Sequence, residues 1–217
     1  MADLAIIDYG MGNLRSVANA LRHVAPVQDR VVVTSDPAVV LAADRVVFPG
    51  QGAARDCMHE LRACGLEDAV REAAHTRPFL GVCMGMQVLL EHSEENGGTP
   101  CLGVHAGDVR YFGAAPRDPV TGEHIKVPHM GWNRVEPARD HPLWDGIAPG
   151  SRFYFANSYY VAPSDASLVA ATTEYGIRFC SALARDNVFA IQCHPEKSAQ
   201  AGLRLLSNFA RWDGAAA

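Results

Sequence analysis

Between residues 78 and 90 the chain passes from an apolar, extended pattern through Gly81-Val82-Cys83-Met84-Gly85 into an apolar run, Met86 to Leu90, that reads as helix. This is strand, sharp turn and helix, with a thiol at the apex. Glycines two before and two after the thiol let the backbone turn tightly without Cβ clashes. The layout is that of a nucleophile elbow with Cys in place of Ser. A thiol there sits at a helix N-terminus, where the dipole and free N–H groups favour the thiolate. Taken alone, the pentapeptide also fits a buried cysteine at a strand end, because free Cys usually behaves as a small hydrophobe.

The residues before the elbow set its context. Leu4-Ala5-Ile6-Ile7 is a continuous apolar run, as in a parallel strand covered on both faces. After the turn Gly10-Met11-Gly12-Asn13, residues Leu14, Val17, Ala18 and Leu21 recur at helical spacing. Residues 30–34 and 45–48 read as further strands. Ser35-Asp36-Pro37 caps a short helix between them, with Pro at its first position. The third strand ends in the loop Pro49-Gly50-Gln51-Gly52, and a helical stretch broken at Gly65 runs to about Ala74. Strands alternating with helices indicate a doubly wound, mostly parallel sheet of the α/β class. The second half differs. After Glu94-Glu95-Asn96-Gly97-Gly98 closes the elbow helix, short strand candidates follow at 109–112, 132–135, 152–155, 159–161, 168–173, 179–185 and 188–191. These read as antiparallel additions. A last helix spans about 198–212, and the alanine tail beyond Gly214 is expected to fray.

The 217 residues suit one α/β domain spanning 1–217. The formal net charge of −5 comes without any lysine- or arginine-rich block, so there is no electrostatic case for nucleic acid. No apolar run approaches the roughly 20 residues that span a bilayer, and Met1-Ala2-Asp3-Leu4 lacks the basic start of a secretory signal. The six cysteines include no Cys-x-x-Cys pair. The expectation is a cytoplasmic protein in a reducing compartment, with no membrane association.

A nucleophilic thiol needs a base and something to orient that base. Of nine histidines the most suggestive is His194, in Ile191-Gln192-Cys193-His194-Pro195-Glu196. It follows an apolar strand, where sites collect in open α/β sheets. Pro195 biases His194 toward an extended backbone, and residues two apart in an extended segment project to one side. Cys83 as nucleophile, His194 as base and then acid, and Glu196 as orienter form a triad. An oxyanion hole would take one donor from the N–H of Met84 and a second from Gly50, Gln51 or Gly52. No Cys/His set has a recognised zinc spacing, and no metal is expected. Gly10-Met11-Gly12-Asn13 lacks the third glycine of a dinucleotide fingerprint. The aromatics at 153–155 and 159–160 suit a sheet core.

At this point the residues match a family. Gly81-Val82-Cys83-Met84-Gly85-Met86-Gln87 together with His194-Pro195-Glu196 resembles the class I (triad) glutamine amidotransferases, with their flavodoxin-like fold. Ile7-Asp8-Tyr9-Gly10-Met11-Gly12-Asn13-Leu14-Arg15-Ser16-Val17, Val127-Pro128-His129-Met130-Gly131-Trp132-Asn133 and His194-Pro195-Glu196-Lys197-Ser198 are similar to the glutaminase subunits of imidazole glycerol phosphate synthases. The resemblance runs from Ile6 to about Phe209.

It implies that Cys83 attacks the side-chain amide of L-glutamine and that no cofactor takes part. It also implies that Gln87, Ser158 and Tyr159 hold the substrate. Ammonia would pass to a (β/α)8-barrel cyclase bound as a heterodimer, which would turn PRFAR into imidazole glycerol phosphate and AICAR in histidine biosynthesis. Asn13, Lys126, Pro128, His129 and Trp132 would face that cyclase. The sequence departs from the family in two places beside the expected pocket. Gln51 stands where a small apolar residue is frequent, and Asn157 where His is common. Other readings of the residues are a different amidotransferase, such as the glutaminase of pyridoxal phosphate synthesis, and a non-catalytic scaffold.

Overall fold

Apolar runs without polar alternation pack into sheets covered on both faces. The first strands lie in this way in the computed structural model, which describes residues 1–114, 116–118 and 120–215. The first half contains β1 (Asp3–Ile7), α1 (Leu14–Val24), β2 (Arg30–Thr34), α2 (Pro37–Ala42), β3 (Arg45–Gly50), α3 (Ala54–Ala63), α4 (Glu67–Thr76), β4 (Phe79–Cys83) and α5 (Met84–Gln87). The second half contains β5 (His92–Ser93), β6 (Thr99–Pro100), β7 (Gly107–Tyr111), β8 (His129–Arg134), β9 (Glu136–Pro137), β10 (Arg152–Asn157), β11 (Tyr159–Pro163), β12 (Val169–Tyr175), β13 (Ile177–Arg185), β14 (Val188–Ile191) and α6 (Ala199–Phe209).

The main sheet runs β2-β1-β3-β4-β14-β13-β11-β7-β5-β6, with β12 and β9 branching from β13. From β2 to β14 the neighbours are parallel; β13, β11 and β7 then pair antiparallel. This is the expected α/β architecture. Its decisive feature is β14, which comes last in the chain yet pairs parallel to β4 with Ile191 beside Val82. Apolar side chains fill both faces. One core packs under α3 and α4 around Phe48, Phe79 and Leu61. The other packs under α1 and α6 around Leu21, Phe189 and Phe209.

Local chemistry sets the helix starts. Asn13 accepts from the N–H of Ser16 at 3.3 Å to cap α1, and Asp36 accepts from Ala38 at 2.8 Å to cap α2, with Pro37 at the first position. Gly65, at φ +67°, separates α3 from α4 as expected. No helix among the described residues is long and apolar enough to cross a membrane.

Three expectations change. The elbow helix spans Met84–Gln87 rather than Met86 to Leu90. The carbonyls of Val88, Leu89 and Leu90 accept instead from the N–H groups of Leu102, His105 and Gly103, so tertiary bonds replace the next helical turn. The segment expected to close that helix forms a separate short 3₁₀ turn, Glu95–Gly97. Finally, β8 and β10 form a two-stranded ribbon of their own rather than extending the main sheet. Of the alanine tail, residues 216–217 lie outside the described residues.

Candidate active site

The carboxyl ends of β3, β4 and β14 are neighbours, and each delivers part of one site. Cys83 ends β4 at φ 56° and ψ −111°, a left-handed conformation rare for a residue with a side chain. The strain therefore falls on the thiol itself. The flanking glycines are needed for close approach. A methyl on Gly81 would lie 2.8 Å from the carbonyl oxygen of Gly85, and one on Gly85 would overlap the carbonyl oxygen of Phe48. Met84 follows as the first residue of α5, where N–H groups have no partner within the helix.

His194 follows β14 with the extended backbone that Pro195 favours, φ −100° and ψ 95°. Its main chain is clamped on both sides. The N–H donates to the carbonyl of Tyr154 at 2.8 Å, and the carbonyl accepts from Ser198 Oγ at 2.6 Å. The Nδ1 atom lies 3.0 Å from Glu196 Oε1. Pro195–Lys197 is a 3₁₀ turn rather than the extended segment expected. The tight turn nevertheless brings the two side chains together, and α6 holds it down. Gly202 approaches so closely that a methyl there would overlap the carbonyl oxygen of Pro195.

Burial alone would lower the His194 pKa. Hydrogen bonding and charge from Cys83 and Glu196 overcome it and raise the value to about 10. The ring is thus held as an imidazolium at neutral pH between two acidic partners. Replacing Glu196 with Gln removes one of those charges and the acceptor fixing Nδ1–H. The expected outcome is a loss of about 10²- to 10⁴-fold in the turnover that His194 supports. Steady-state kinetics, with circular dichroism to show that the fold is kept, would check it.

Cys83 and His194 open onto a cavity of about 350 Å³ that also meets Gln51, Gly52, Met84, Gln87, Ser158 and Tyr159. Nearly all the residues expected at the nucleophile, oxyanion and substrate positions therefore converge. Gly50 stays behind the wall, where a methyl would overlap Tyr9 Oη and lie 2.8 Å from Met84 Cβ. Gly52 needs its glycine for φ +90°. The Tyr159 carbonyl accepts from both Gln87 Nε2 at 3.2 Å and Asn157 Nδ2 at 2.8 Å. Both lone pairs are occupied, which leaves it no further acceptor capacity for a ligand. Among the described residues no group of three or more His, Cys, Asp or Glu could hold a metal ion.

The expected partner-facing residues divide. Lys126, Pro128 and Trp132 are at least partly exposed. Asn13 is half-buried and caps α1. His129 is only 2% exposed and stacks between Tyr175 and Phe155, with ring centroids 3.8 and 4.6 Å away. Burial lowers its pKa to about 4, and it props the ribbon from inside. Alternation along β8 instead turns Met130 outward, 62% exposed, with Trp132 at 48% two residues on.

Gln192 is the residue that sequence reasoning missed. It is fully buried, and its Nε2 lies 3.7 Å from Cys83 Sγ. Its signal was its position two before His194. Lys197, which lines the cavity and sits over the Tyr154 ring, was also missed.

The family model of class-I glutamine amidotransferases matches residues 5–212. The imidazole glycerol phosphate synthase subunit HisH of Aromatoleum aromaticum is 61% identical over 98% of this chain and 99% of that protein. The protein of the same name from Dechloromonas aromatica is 59% identical over 96% of each. Among solved structures, PurLQS from Thermotoga maritima superposes with a TM-score of 0.67 at 15% identity, covering 97% of this chain and 99% of that one. The glutaminase domain of CTPS from Trypanosoma brucei gives 0.61 at 17%, covering 98% and 95%. At such identities the structural likeness concerns the fold.

Proposed function

The chain belongs to the class-I glutamine amidotransferase family, and from that premise we propose that it is the glutamine-hydrolysing subunit of an imidazole glycerol phosphate synthase, acting as one domain in the cytoplasm. The observation that carries the chemistry is the strained Cys83 at the end of β4 facing a His194–Glu196 pair at the end of the adjacent β14.

The Cys83 thiolate attacks the side-chain carbonyl carbon of L-glutamine. The negative charge that develops on the oxygen is met by the Met84 N–H and by the Gln51–Gly52 edge of the cavity. His194, already protonated, gives its proton to the departing nitrogen, and ammonia leaves. Water then attacks the glutamyl thioester while His194 takes its proton. Glutamate is released, the thiolate re-forms and the imidazolium is restored. Gln87 and Ser158 line the part of the cavity that holds the substrate.

Ammonia passes to a cyclase subunit, which uses it with PRFAR to make imidazole glycerol phosphate and AICAR in histidine biosynthesis. Exposed Met130 and Trp132 on one face of β8, with Lys126 and Pro128 beside them, support a partner on this side; Pro128 also lines the cavity. The partner is a (β/α)8 barrel in a heterodimer. The glycines at 50 and 52 suit a loop that completes its oxyanion donor only when that partner carries its ligand; a missing donor lowers the rate by about 100- to 1000-fold. Glutamate release is therefore expected to be slow for the chain alone and to rise by about that factor with the cyclase and PRFAR. Equal rates with and without the partner would remove the gating. No release under either condition would remove the glutaminase reading.

A further inference from the structure

We propose that Gln192 is a catalytic residue that donates an N–H to the Cys83 sulfur from the protein interior and is held in that orientation by Gln87. The proposal rests on Cys83 being the nucleophile. The β14–β4 register puts Ile191 beside Val82, so Gln192 arrives next to Cys83. Its amide has two distinct ends, and the structure fixes which faces the sulfur. Gln87 Nε2 donates to Gln192 Oε1 at 2.9 Å and to the Tyr159 carbonyl at 3.2 Å. Both hydrogens of the Gln87 amide are thereby used. Turning the Gln192 amide over would set donor against donor at Gln87. Its Nε2 therefore points to Cys83 Sγ, 3.7 Å away.

An amide in so dry a place needs a reason. Gln192 is fully buried, and a methionine would fill the same space without the cost of burying a polar group. An N–H aimed at sulfur favours the charged thiolate over the neutral thiol and the thioester. It therefore assists the two moments when sulfur bears charge: before attack, and as the leaving group when the thioester breaks. His194 lines the same cavity as Cys83. Gln87 lines the substrate cavity, so the Gln87–Gln192 bond links the groups around the substrate to the sulfur.

The experiment follows the pH dependence of iodoacetamide alkylation at Cys83, resolved by peptide mapping, in the wild type, Gln192→Met and Gln192→Leu. Cys64, the exposed thiol, serves as internal control. Burial pushes the thiols of Cys57, Cys101 and Cys180 up to about 12, 11 and 12, which keeps them out of the measured range. The Cys83 midpoint is expected to move up by about 1 to 2 pH units in both variants while Cys64 does not move. Glutamate release with the cyclase present is expected to lose roughly 10- to 100-fold in kcat with little change in KM. Superimposable Cys83 profiles would overturn the proposal whatever happens to kcat. Gln192→Leu, a second neutral side chain without an N–H, decides the matter if Gln192→Met does not fold. A shifted midpoint in a protein that releases no glutamate would uphold the sulfur contact and sink the glutaminase reading instead.

Discussion

Cys83→Ala is expected to reduce glutamate release by roughly 10⁴- to 10⁶-fold, because removing the nucleophile of a triad forfeits nearly all that its members achieve together. The same substitution has a second consequence that does not depend on turnover. His194 is held at a pKa of about 10 by Cys83 and Glu196 against the burial that would lower it. With the sulfur gone, burial faces only Glu196, and the His194 pKa should fall by about 1 to 3 pH units. The sign for stability follows from linkage. A histidine raised in the folded state stabilises the fold fully below its unfolded value of about 6.5. That contribution fades as pH rises toward about 10. The wild type should therefore lose stability across that alkaline window, and Cys83→Ala should show a shallower loss. Imidazole NMR titration and unfolding midpoints between pH 6 and 10 read both effects. An unchanged His194 titration in the variant would mean that the thiol and the ring do not interact.

The largest expected effect on stability comes from Gly85→Ala. The new methyl would overlap the carbonyl oxygen of Phe48 and lie 2.9 Å from its carbonyl carbon. Both sides of that contact are main chain: β3 on one, the start of α5 on the other. Neither can swing aside as a side chain would. The cost should reach about 4 kcal/mol, the range reserved for gross steric or packing faults. In a chain of this length that lowers the thermal midpoint by roughly 8 to 16 °C. Gly65→Ala is the informative control. It sits at φ +67° with open space around it, so it bears only local backbone strain. A Gly85→Ala protein that unfolds within about 2 °C of the wild type, well inside that range, would show that the elbow is not the rigid joint described above.

The parts of this architecture legible in the sequence were those written locally. Continuous apolar runs gave β1 to β4, Asp36-Pro37 marked the start of α2, and Gly65 marked the break between α3 and α4. The elbow was legible because its glycines are demanded by backbone contacts within a few residues or with the next strand. His194 and Glu196 were legible as a pair two apart, although a 3₁₀ turn rather than an extended strand joins them. What stayed hidden was decided at long range. The elbow helix stops after Gln87 because residues 102–105 claim the next carbonyls. Nothing near Val88 announces that. His129 carries a polar side chain in a surface-like motif, yet its aromatic neighbours Phe155 and Tyr175 come from β10 and β12. Gln192 looked like an isolated polar residue at the end of an apolar strand. Its partners Cys83 and Gln87 lie more than a hundred residues earlier.

The place of β14 in the sheet also bears on how the protein is made. During synthesis the chain emerges from its N-terminus, and β1 to β4 can pair as soon as residue 83 has cleared the ribosome. At that moment β4 is an edge strand. The partner that covers it arrives only with residues 188–191. Until then Cys83 has neither His194 nor Glu196 near it, and it ends a strand whose open side invites foreign pairing. The growing polypeptide therefore carries its nucleophile unarmed through the interval when it is least protected. Hydrolysis of free glutamine can begin only once the C-terminal segment has slotted in and completed the sheet. The strand order thus acts as a timer, tying the onset of chemistry to the emergence of residues 188–196.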